Sequence, residues 1–407
     1  LWEQDGASVG NFHAGYAAIA EDASTAFYNP AGIARFKDQQ LVLAGAGIAT
    51  NFKYEGTVAV NTIEANTPRY TTAQGGNFAL IPALHYVAPL SDRIGFGFSV
   101  DVPFGLKTNY GRNSIIEYAA STTGLTVVDI SPSLSFALTD KAALGVGLDV
   151  QRADAQFVNY GGIGFPTASG EAKNTLDDTG YGMHAGALYS MSDASRVGLS
   201  YHSQVVHHLT GTSLFTGELA DAFNDGSSVY SQAYTNLTMP AYTALSGYHD
   251  LSDRVAIMAS AIYTQWNVLK TLTLHNATGI QNFEASPDLT VSLPLYYRNT
   301  WNVVVGANYR ATDDIMIRSG LGYDQTPVQN RYRNVTLPDN NRIVVGLGGH
   351  YQSTKTIGLD VGWLHIFMPQ ASIYPPTLVA GDQQTTTVGV VNGGADVLSA
   401  QLTWNLT

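Results

Sequence analysis

Leu398-Ser399-Ala400-Gln401-Leu402-Thr403-Trp404-Asn405-Leu406 alternates without a break. Leu398, Ala400, Leu402, Trp404 and Leu406 fall on one side, and Ser399, Gln401, Thr403 and Asn405 on the other. Successive side chains of a β-strand point to opposite faces, so the segment reads as a strand with one apolar and one polar face. The pattern recurs upstream. Trp301, Val303, Val305, Ala307 and Tyr309 oppose Asn302, Gly306, Asn308 and Arg310; Ile343, Val345, Leu347 and Tyr351 oppose Gly346, Gly348 and His350. From Leu41 onward roughly fourteen strands can be placed, at 40–53, 77–90, 93–107, 124–138, 141–157, 179–190, 195–211, 237–250, 254–270, 299–311, 314–326, 341–352, 355–367 and 394–406. An even count suits a bacterial membrane barrel.

The connections alternate in length. Short ones lie at 90–93, 139–141, 192–193, 251–254, 312–314 and 353–355, each with Asp or Ser/Thr able to bond the local backbone. Longer ones fall at 54–76, 108–123, 158–178, 212–236, 271–297, 327–340 and 368–393. Short periplasmic turns and long extracellular loops are the outer-membrane pattern, and both ends of the chain then face the periplasm.

Composition points the same way. Charged residues make up 13% of the 407-residue chain, against roughly 25% in soluble domains. No run approaches the ~18 apolar residues of a membrane helix, yet apolar residues reach 45%, with 23 Tyr and 41 Gly. An all-β fold resolves the conflict: a transmembrane antiparallel barrel needs apolar residues only at alternate positions. The absence of Cys excludes disulfides and thiol chemistry, and a net charge of −12 argues against a nucleic-acid partner. The chain starts at Leu1 with no signal-peptide pattern, which reads as a processed N-terminus.

Residues 1–40 have a different texture, rich in small residues (Ala14, Gly15, Ala17, Ala18, Ala20) and without alternation. In Asn29-Pro30-Ala31-Gly32, Pro30 biases Asn29 out of the helical region and Gly32 permits a sharp turn. Such a segment suits either a plug seated in the barrel or a frayed terminal arm. The expected organisation is a hatch over 1–40 and a barrel over 41–407.

Catalytic signals are missing. No His-Glu-x-x-His, Gly-x-Ser-x-Gly or Walker pattern occurs, and His207-His208 are strand neighbours pointing to opposite faces. No cofactor or metal is expected. Gly95-Phe96-Gly97, Gly145-Val146-Gly147 and Gly346-Leu347-Gly348 lie within strands, where they mark close packing of the wall on something inside. The third strand places Ile94, Phe96, Phe98, Val100 and Val102 on its lipid face and then meets Pro103-Phe104-Gly105. Because Pro cannot donate to a neighbouring strand, this marks either a defect in the wall or a strand already clear of hydrocarbon. Arg298 shares the parity of Asn302, Gly306 and Asn308, which aims it into the lumen, to hold an anionic head group or to polarise water. Ile163 and Phe165, with Leu214, Phe215, Leu219 and Phe223, are apolar loop residues that either line a groove or pack locally.

These residues resemble the FadL long-chain fatty-acid transporters of bacterial outer membranes. The likeness covers nearly the whole chain. It rests on Ala18-Ile19-Ala20-Glu21-Asp22-Ala23 with Asn29-Pro30-Ala31, on Phe104-Gly105-Leu106-Lys107-Thr108, and on Tyr263-Thr264-Gln265-Trp266. Most specific is Arg318-Ser319-Gly320-Leu321-Gly322-Tyr323-Asp324-Gln325-Thr326-Pro327-Val328, followed by Leu337-Pro338-Asp339-Asn340-Asn341-Arg342. The resemblance implies a monomeric barrel of fourteen strands with its lumen blocked by the hatch, surrounded by outer-membrane lipid and lipopolysaccharide. It also implies an outer groove between loops 158–178 and 212–236, an inner pocket with Arg298, and sideways exit at Pro103, Phe104 and Gly105. The substrates would be long-chain fatty acids; the alternative is aromatic hydrocarbons. The chain departs from the family on the fifth strand, where relatives carry a second basic residue and this sequence has Asp154, with Arg152 two positions earlier. An outer-membrane lipid hydrolase would need a Ser-His pair that no spacing nominates, and an adhesive barrel would use only its loops.

Overall fold

Alternation along the strands closes into one antiparallel barrel. The computed structural model describes residues 4–61, 67–112, 114–162 and 169–406. Among them, fourteen wall strands follow chain order. The first five are Gln39–Asn61, Arg69–Gln74 continued by Phe78–Pro89, Ile94–Asn109, Thr122–Ala137 and Ala142–Gly162. Then come Ser169–Ser190, Ser195–His202 with Val205–Thr216, Val229–Met239 with Tyr242–Asp250, and Val255–Thr264 with Thr271–Gln281. The last five are Glu284–Pro294 with Thr300–Arg310, Ile315–Asp324, Arg342–Gln352, Ile357–Ile373 and Gln383–Leu406. The fourteenth pairs with the first from Gln39↔Leu406 to Asn61↔Gln384. Closure removes the free edge that hydrocarbon would not tolerate.

The expected faces hold. Leu398 is 67% exposed on the outer surface while Ser399 and Gln401 are each 3% exposed inside. Trp301, Val303, Val305, Ile343 and Leu347 are exposed outside, and Asn302 and Asn308 are buried. Five of the short turns repeat one bonding pattern, in which the hydroxyl of Ser91, Thr139, Ser252, Thr312 or Thr354 accepts from backbone N–H groups two and three residues on. The hydroxyl, rather than the Asp carboxylate, closes these turns.

Three expectations need correction. Much of the long connections 54–76, 158–178, 212–236 and 271–297 is strand, because the ladders continue past the membrane. Residues 271–294 in particular form a hairpin, Thr271↔Pro294 through Gln281↔Glu284. Second, Val102 is buried instead of lipid-facing. A register shift between Asp101 and Phe104 inserts Val102-Pro103 as a bulge against the fourth strand and reverses the parity. Third, Gly32 lies inside a 3-10 turn. Its missing Cβ admits Thr25, whose Oγ1 would sit 2.1 Å from a methyl there.

The described part of the N-terminal segment lies inside the barrel as a plug. It comprises a short helix, Gly6–Asn11, capped by the Asp5 carboxylate, a second turn, Thr25–Tyr28, and a 3-10 turn, Pro30–Arg35. It packs on the inner wall almost all the way round. Gly6 meets the thirteenth and fourteenth strands, Gly10 and Asn11 the eleventh and twelfth, and Tyr16 and Ala17 the eighth and ninth. Asn29, Ala31 and Ile33 then meet the sixth, fifth and third.

Candidate ligand cavity and plug

The plug is seated where the wall lacks side chains. A Cβ at Gly320 would fall 2.0 Å from the Asn11 carbonyl, and one at Gly145 2.3 Å from the Ala31 nitrogen. Gly95, Gly97, Gly346 and Gly348 likewise face plug atoms, as their placement within strands suggested, whereas Gly147 faces His184. Asn29 is the principal pin. With extended backbone (φ −157°, ψ 100°), its Oδ1 accepts from Ala31 N, capping the turn that Pro30 begins. Its Nδ2 donates to the Ala17 carbonyl at 2.5 Å and to the Ala187 carbonyl of the sixth strand at 3.1 Å.

Charged and polar wall groups complete the seat. Arg318, buried on the eleventh strand, donates to Asp360 at 3.0 Å and to Glu21 of the plug. Gln401, on the polar face of the last strand, donates to Asp22 at 2.7 Å and accepts from Ala7 N at 3.2 Å. Arg196 donates to the Ala18 and Ile19 carbonyls. Asp149, His184 and His202 place ligand atoms within 4.8 Å of one another, the spacing a metal would require. His184 Nδ1 meets Asp149 at 2.6 Å and His202 Nε2 meets the Phe27 carbonyl of the plug at 3.1 Å, while His184 Nε2 is buried without a partner. The two imidazoles stack at 5.1 Å.

Towards the long-loop end the lumen opens into an apolar cavity of about 150 Å³. The hairpin 271–294 supplies Leu272, Leu274, Ile280, Leu289, Val291 and Leu293 to its lining, and the wall supplies Phe157 and Phe215. The hairpin is tied to its neighbours near its tip. Ser213 and Thr278 share a 2.9 Å bond, and the Asp382 carboxylate accepts from Asn282 N and Phe283 N at the tip. The tip itself turns through Asn282 and Phe283, both at positive φ. Sequence reading missed this element, although Leu289, Val291 and Leu293 alternate and signal a strand.

Polar atoms in the lining are neutral. Gln383 donates to the Tyr160 carbonyl at 3.1 Å, whereas Tyr118 Oη, Asn174 Oδ1 and Thr235 Oγ1 are buried with no hydrogen-bond partner. Burial, with Glu117 beside it, pushes the Tyr118 hydroxyl up to about 12, so it stays neutral. No Lys, Arg or His lines the cavity, and all 20 Lys and Arg and all 10 His of the sequence lie among the described residues.

The expected ligand residues divide. Phe215 lines the cavity; Leu219 and Phe223, from the short helix Glu218–Phe223, pack with it and Ile280. Leu214 is exposed on the opposite side of its strand. Ile163 and Phe165 lie outside the described residues. Arg298 is exposed, its Nε donating to the Thr326 carbonyl at 3.2 Å, and it does not line the cavity. Arg152 and Asp154 are exposed too, with Arg152 paired to Asp177 on the outer surface. Inward-facing Ala153 and Ala155 separate them from the lumen.

Between cavity and plug one seam of the wall lacks a backbone ladder. The second and third strands pair only from Leu84↔Val100 to Pro89↔Gly95. Above that, Phe78–Ala83 pair with the first strand and Phe104–Asn109 with the fourth, so the two sides have no ladder between them until Asn109 N reaches the Gly75 carbonyl at 3.0 Å. Pro103 and Phe104 sit at this seam, with Phe104 edge-on to Trp266 at 5.9 Å. Phe104 belongs to an apolar cluster that includes the cavity residues Phe157, Leu272 and Leu274 and the plug residues Tyr16 and Phe27.

A closed barrel with an apolar outer band, a plugged lower lumen and an apolar upper cavity defines an outer-membrane transporter of hydrophobic molecules. The chain belongs to the family described as outer membrane protein transport protein (OMPP1/FadL/TodX), which it matches over residues 1–405. Members of this family are bacterial outer-membrane transporters and not enzymes. It is similar to outer membrane protein P1 of Haemophilus influenzae, 28% identical over 90% of this chain and 85% of the relative. It is also similar to the long-chain fatty acid transport protein of Escherichia coli, 26% identical over 89% and 86% of the two chains. Among solved structures, a Pseudomonas aeruginosa FadL homologue superposes with a TM-score of 0.87 at 26% identity, covering 100% of this chain and 99% of that one. The toluene transporter TodX of Pseudomonas putida shares the fold, with a TM-score of 0.71 at 17% identity over 100% and 99% of the chains.

Proposed function

We propose that this protein takes up long-chain fatty acids and related long aliphatic molecules as a monomer in the lipid and lipopolysaccharide of the outer membrane. The substrate enters the cavity under the 271–294 hairpin, moves along the apolar cluster to Phe104, and leaves sideways between the second and third strands. The unpaired seam at Pro103-Phe104-Gly105 carries this reading. Burying a sixteen-carbon tail is worth about 0.8 kcal/mol per methylene, roughly 12 kcal/mol gross. A route through the plug would surrender that energy to periplasmic water, and the seat offers bonded backbone in place of an apolar path. A lateral route keeps the tail in apolar surroundings. Arg298, at the outer rim, meets the carboxylate on arrival, and residues 1–40 act as the hatch that keeps polar solutes out. The 26% identity to the Escherichia coli long-chain fatty acid transport protein, against 17% to the toluene transporter TodX, supports the aliphatic substrate.

The chargeless lining favours a second reading, aromatic hydrocarbons carried by the same route. Comparing uptake of labelled toluene and hexadecanoate by the same cells separates the two.

The route is tested by bridging cysteines placed at Ala83 and Val102, in a chain with no native Cys. Cells should still bind hexadecanoate, while uptake falls to background. Normal uptake through a verified bridge would overturn the lateral exit.

A further inference from the structure

The cavity is smaller than the substrate proposed for it. Its volume is about 150 Å³. An apolar cavity of roughly that volume holds benzene, which has about a third of the heavy atoms of a sixteen-carbon acid. A long tail is therefore taken in whole only if one side of the cavity gives way. The sides are unequally anchored. The seventh and eighth strands run in an unbroken ladder from Val229↔Phe215 to Met239↔Val205. The hairpin facing them is laddered to itself, and among the described residues its one paired position on the wall is Tyr234↔His275. An element with few backbone bonds to its surroundings opens at lower free energy than a laddered one.

Separate bonds fasten the outer half of the hairpin. On one flank the Ser213 and Thr278 hydroxyls lie 2.9 Å apart, Ser213 Oγ accepts from Thr278 N at 2.8 Å, and Asn276 Nδ2 donates to the Gln232 carbonyl at 3.2 Å. At the tip the Asp382 carboxylate accepts from Asn282 N at 3.1 Å and Phe283 N at 2.9 Å, and Asp382 N donates to the Ile280 carbonyl at 3.0 Å. The base is firmer, with Leu272 and Leu293 packed on Tyr297 and Val328. Between base and tip the hairpin's own ladder slips, first between Leu274 and Ala277 and again before Gly279. Of the eight described non-glycine residues at positive φ, four belong to this segment: Asn276, Asn282, Phe283 and Tyr296. Backbone held in that region clusters at ligand clamps and switches. The one apolar contact that lifting the tip would break is Ile280 against Phe215 and Leu219.

We infer that the outer half of this hairpin is a lid, and that its fastenings at Ser213 and Asp382 set the size of substrate admitted. Closed, it leaves room for a benzene-sized molecule. Raised about the slip between Leu274 and Gly279, it admits a long aliphatic tail, which takes the place of Ile280 against Phe215 and Leu219. This rests on the proposed long-chain reading and specifies what limits entry.

The test staples the lid. Ser213→Cys with Thr278→Cys places two thiols where the hydroxyls lie 2.9 Å apart, in a chain with no native Cys. Binding of labelled hexadecanoate and labelled toluene is measured on the purified barrel in amphipol, oxidised and then reduced, with amphipol alone as the blank. The closed bridge, verified by mass, should weaken hexadecanoate binding at least tenfold, and reduction should restore it, which also shows that the fold is intact. Toluene binding should change less than twofold. Asp382→Ala frees the tip without a bridge and should speed hexadecanoate association about threefold. Undiminished hexadecanoate binding with the bridge closed overturns the lid, as does an unchanged association rate in Asp382→Ala. An equal loss of toluene, or no toluene binding to the unmodified protein, overturns the size limit. If the unmodified protein binds toluene and no hexadecanoate, the long-chain reading itself is wrong and the inference falls with it.

Discussion

The lower lumen is filled by backbone and the upper lumen is lined by side chains. Near the short turns, wall glycines receive plug carbonyls and nitrogens directly, and Arg318, Gln401, Arg196 and Asn29 tie the two together. Near the long loops, leucines, valines and phenylalanines surround open space, and the few polar atoms there are neutral and partly unpaired. The difference fits the two tasks proposed above, sealing by the plug and binding of an apolar substrate in the upper lumen. Phe104 and the unpaired seam lie between the two regions.

The largest expected effect breaks the seal and leaves the cavity alone. Arg318→Met would leave buried Asp360 with His350, at 2.9 Å, as its remaining partner and would release Glu21. Removing one partner of a buried ion pair costs about 3–5 kcal/mol. Urea unfolding of the lipid-refolded protein should show a loss of that size, and vesicles bearing the variant should leak small sugars. Hexadecanoate binding should hold, and a parallel loss of binding would mean the two regions are not independent. A smaller effect is expected on the other side of the division. Leu289→Trp would fill the cavity at the price of about 1–3 kcal/mol of overpacking. It should weaken binding of long-chain compounds about tenfold, or ~1.4 kcal/mol, without raising leakage. Leakage from this variant would show that the hairpin also contributes to the seal.

Much of this division was legible in the sequence. Period-2 alternation sets strand faces residue by residue, so Leu398 and Gln401 could be placed outside and inside from the chain alone. The Gly-x-Gly pairs inside strands, Gly147 excepted, marked the seat because a missing side chain lets plug atoms approach the wall closely. The most specific motif also has a structural account. Arg318 and Gly320 contact the plug, Asp324 holds Arg342 at 2.5 Å, and Thr326 donates to Asp339 at 2.6 Å. Parity failed at Val102, which a bulge displaced. Arg298 was aimed by extrapolating past residues 295–299, where Tyr296 adopts positive φ and the strand is broken, and it does not line the cavity. The cavity was hidden for a different reason: its hairpin lies in a connection between strands, and which loop folds inward depends on tertiary contacts such as Asp382 with Asn282.

The smallest effect concerns Arg298 and sharpens the comparison most. If the upper cavity is chargeless by construction, an exposed cation at its rim can only attract a carboxylate through water. Two unit charges 4 Å apart in bulk water interact by about 1 kcal/mol, and exposed pairs typically yield 0–1 kcal/mol. Arg298→Ala should therefore slow hexadecanoate uptake by about two- to fivefold at low ionic strength. The loss should vanish near 0.5 M salt, where screening acts within roughly 4–5 Å. Uptake of methyl hexadecanoate, which carries no charge, should be unchanged. Uptake rates measured across a salt series in cells of the two strains provide the check. A loss greater than tenfold that persists at high salt would place the Arg298 guanidinium on the substrate in a dry site, and the upper lumen would then be a charged pocket after all.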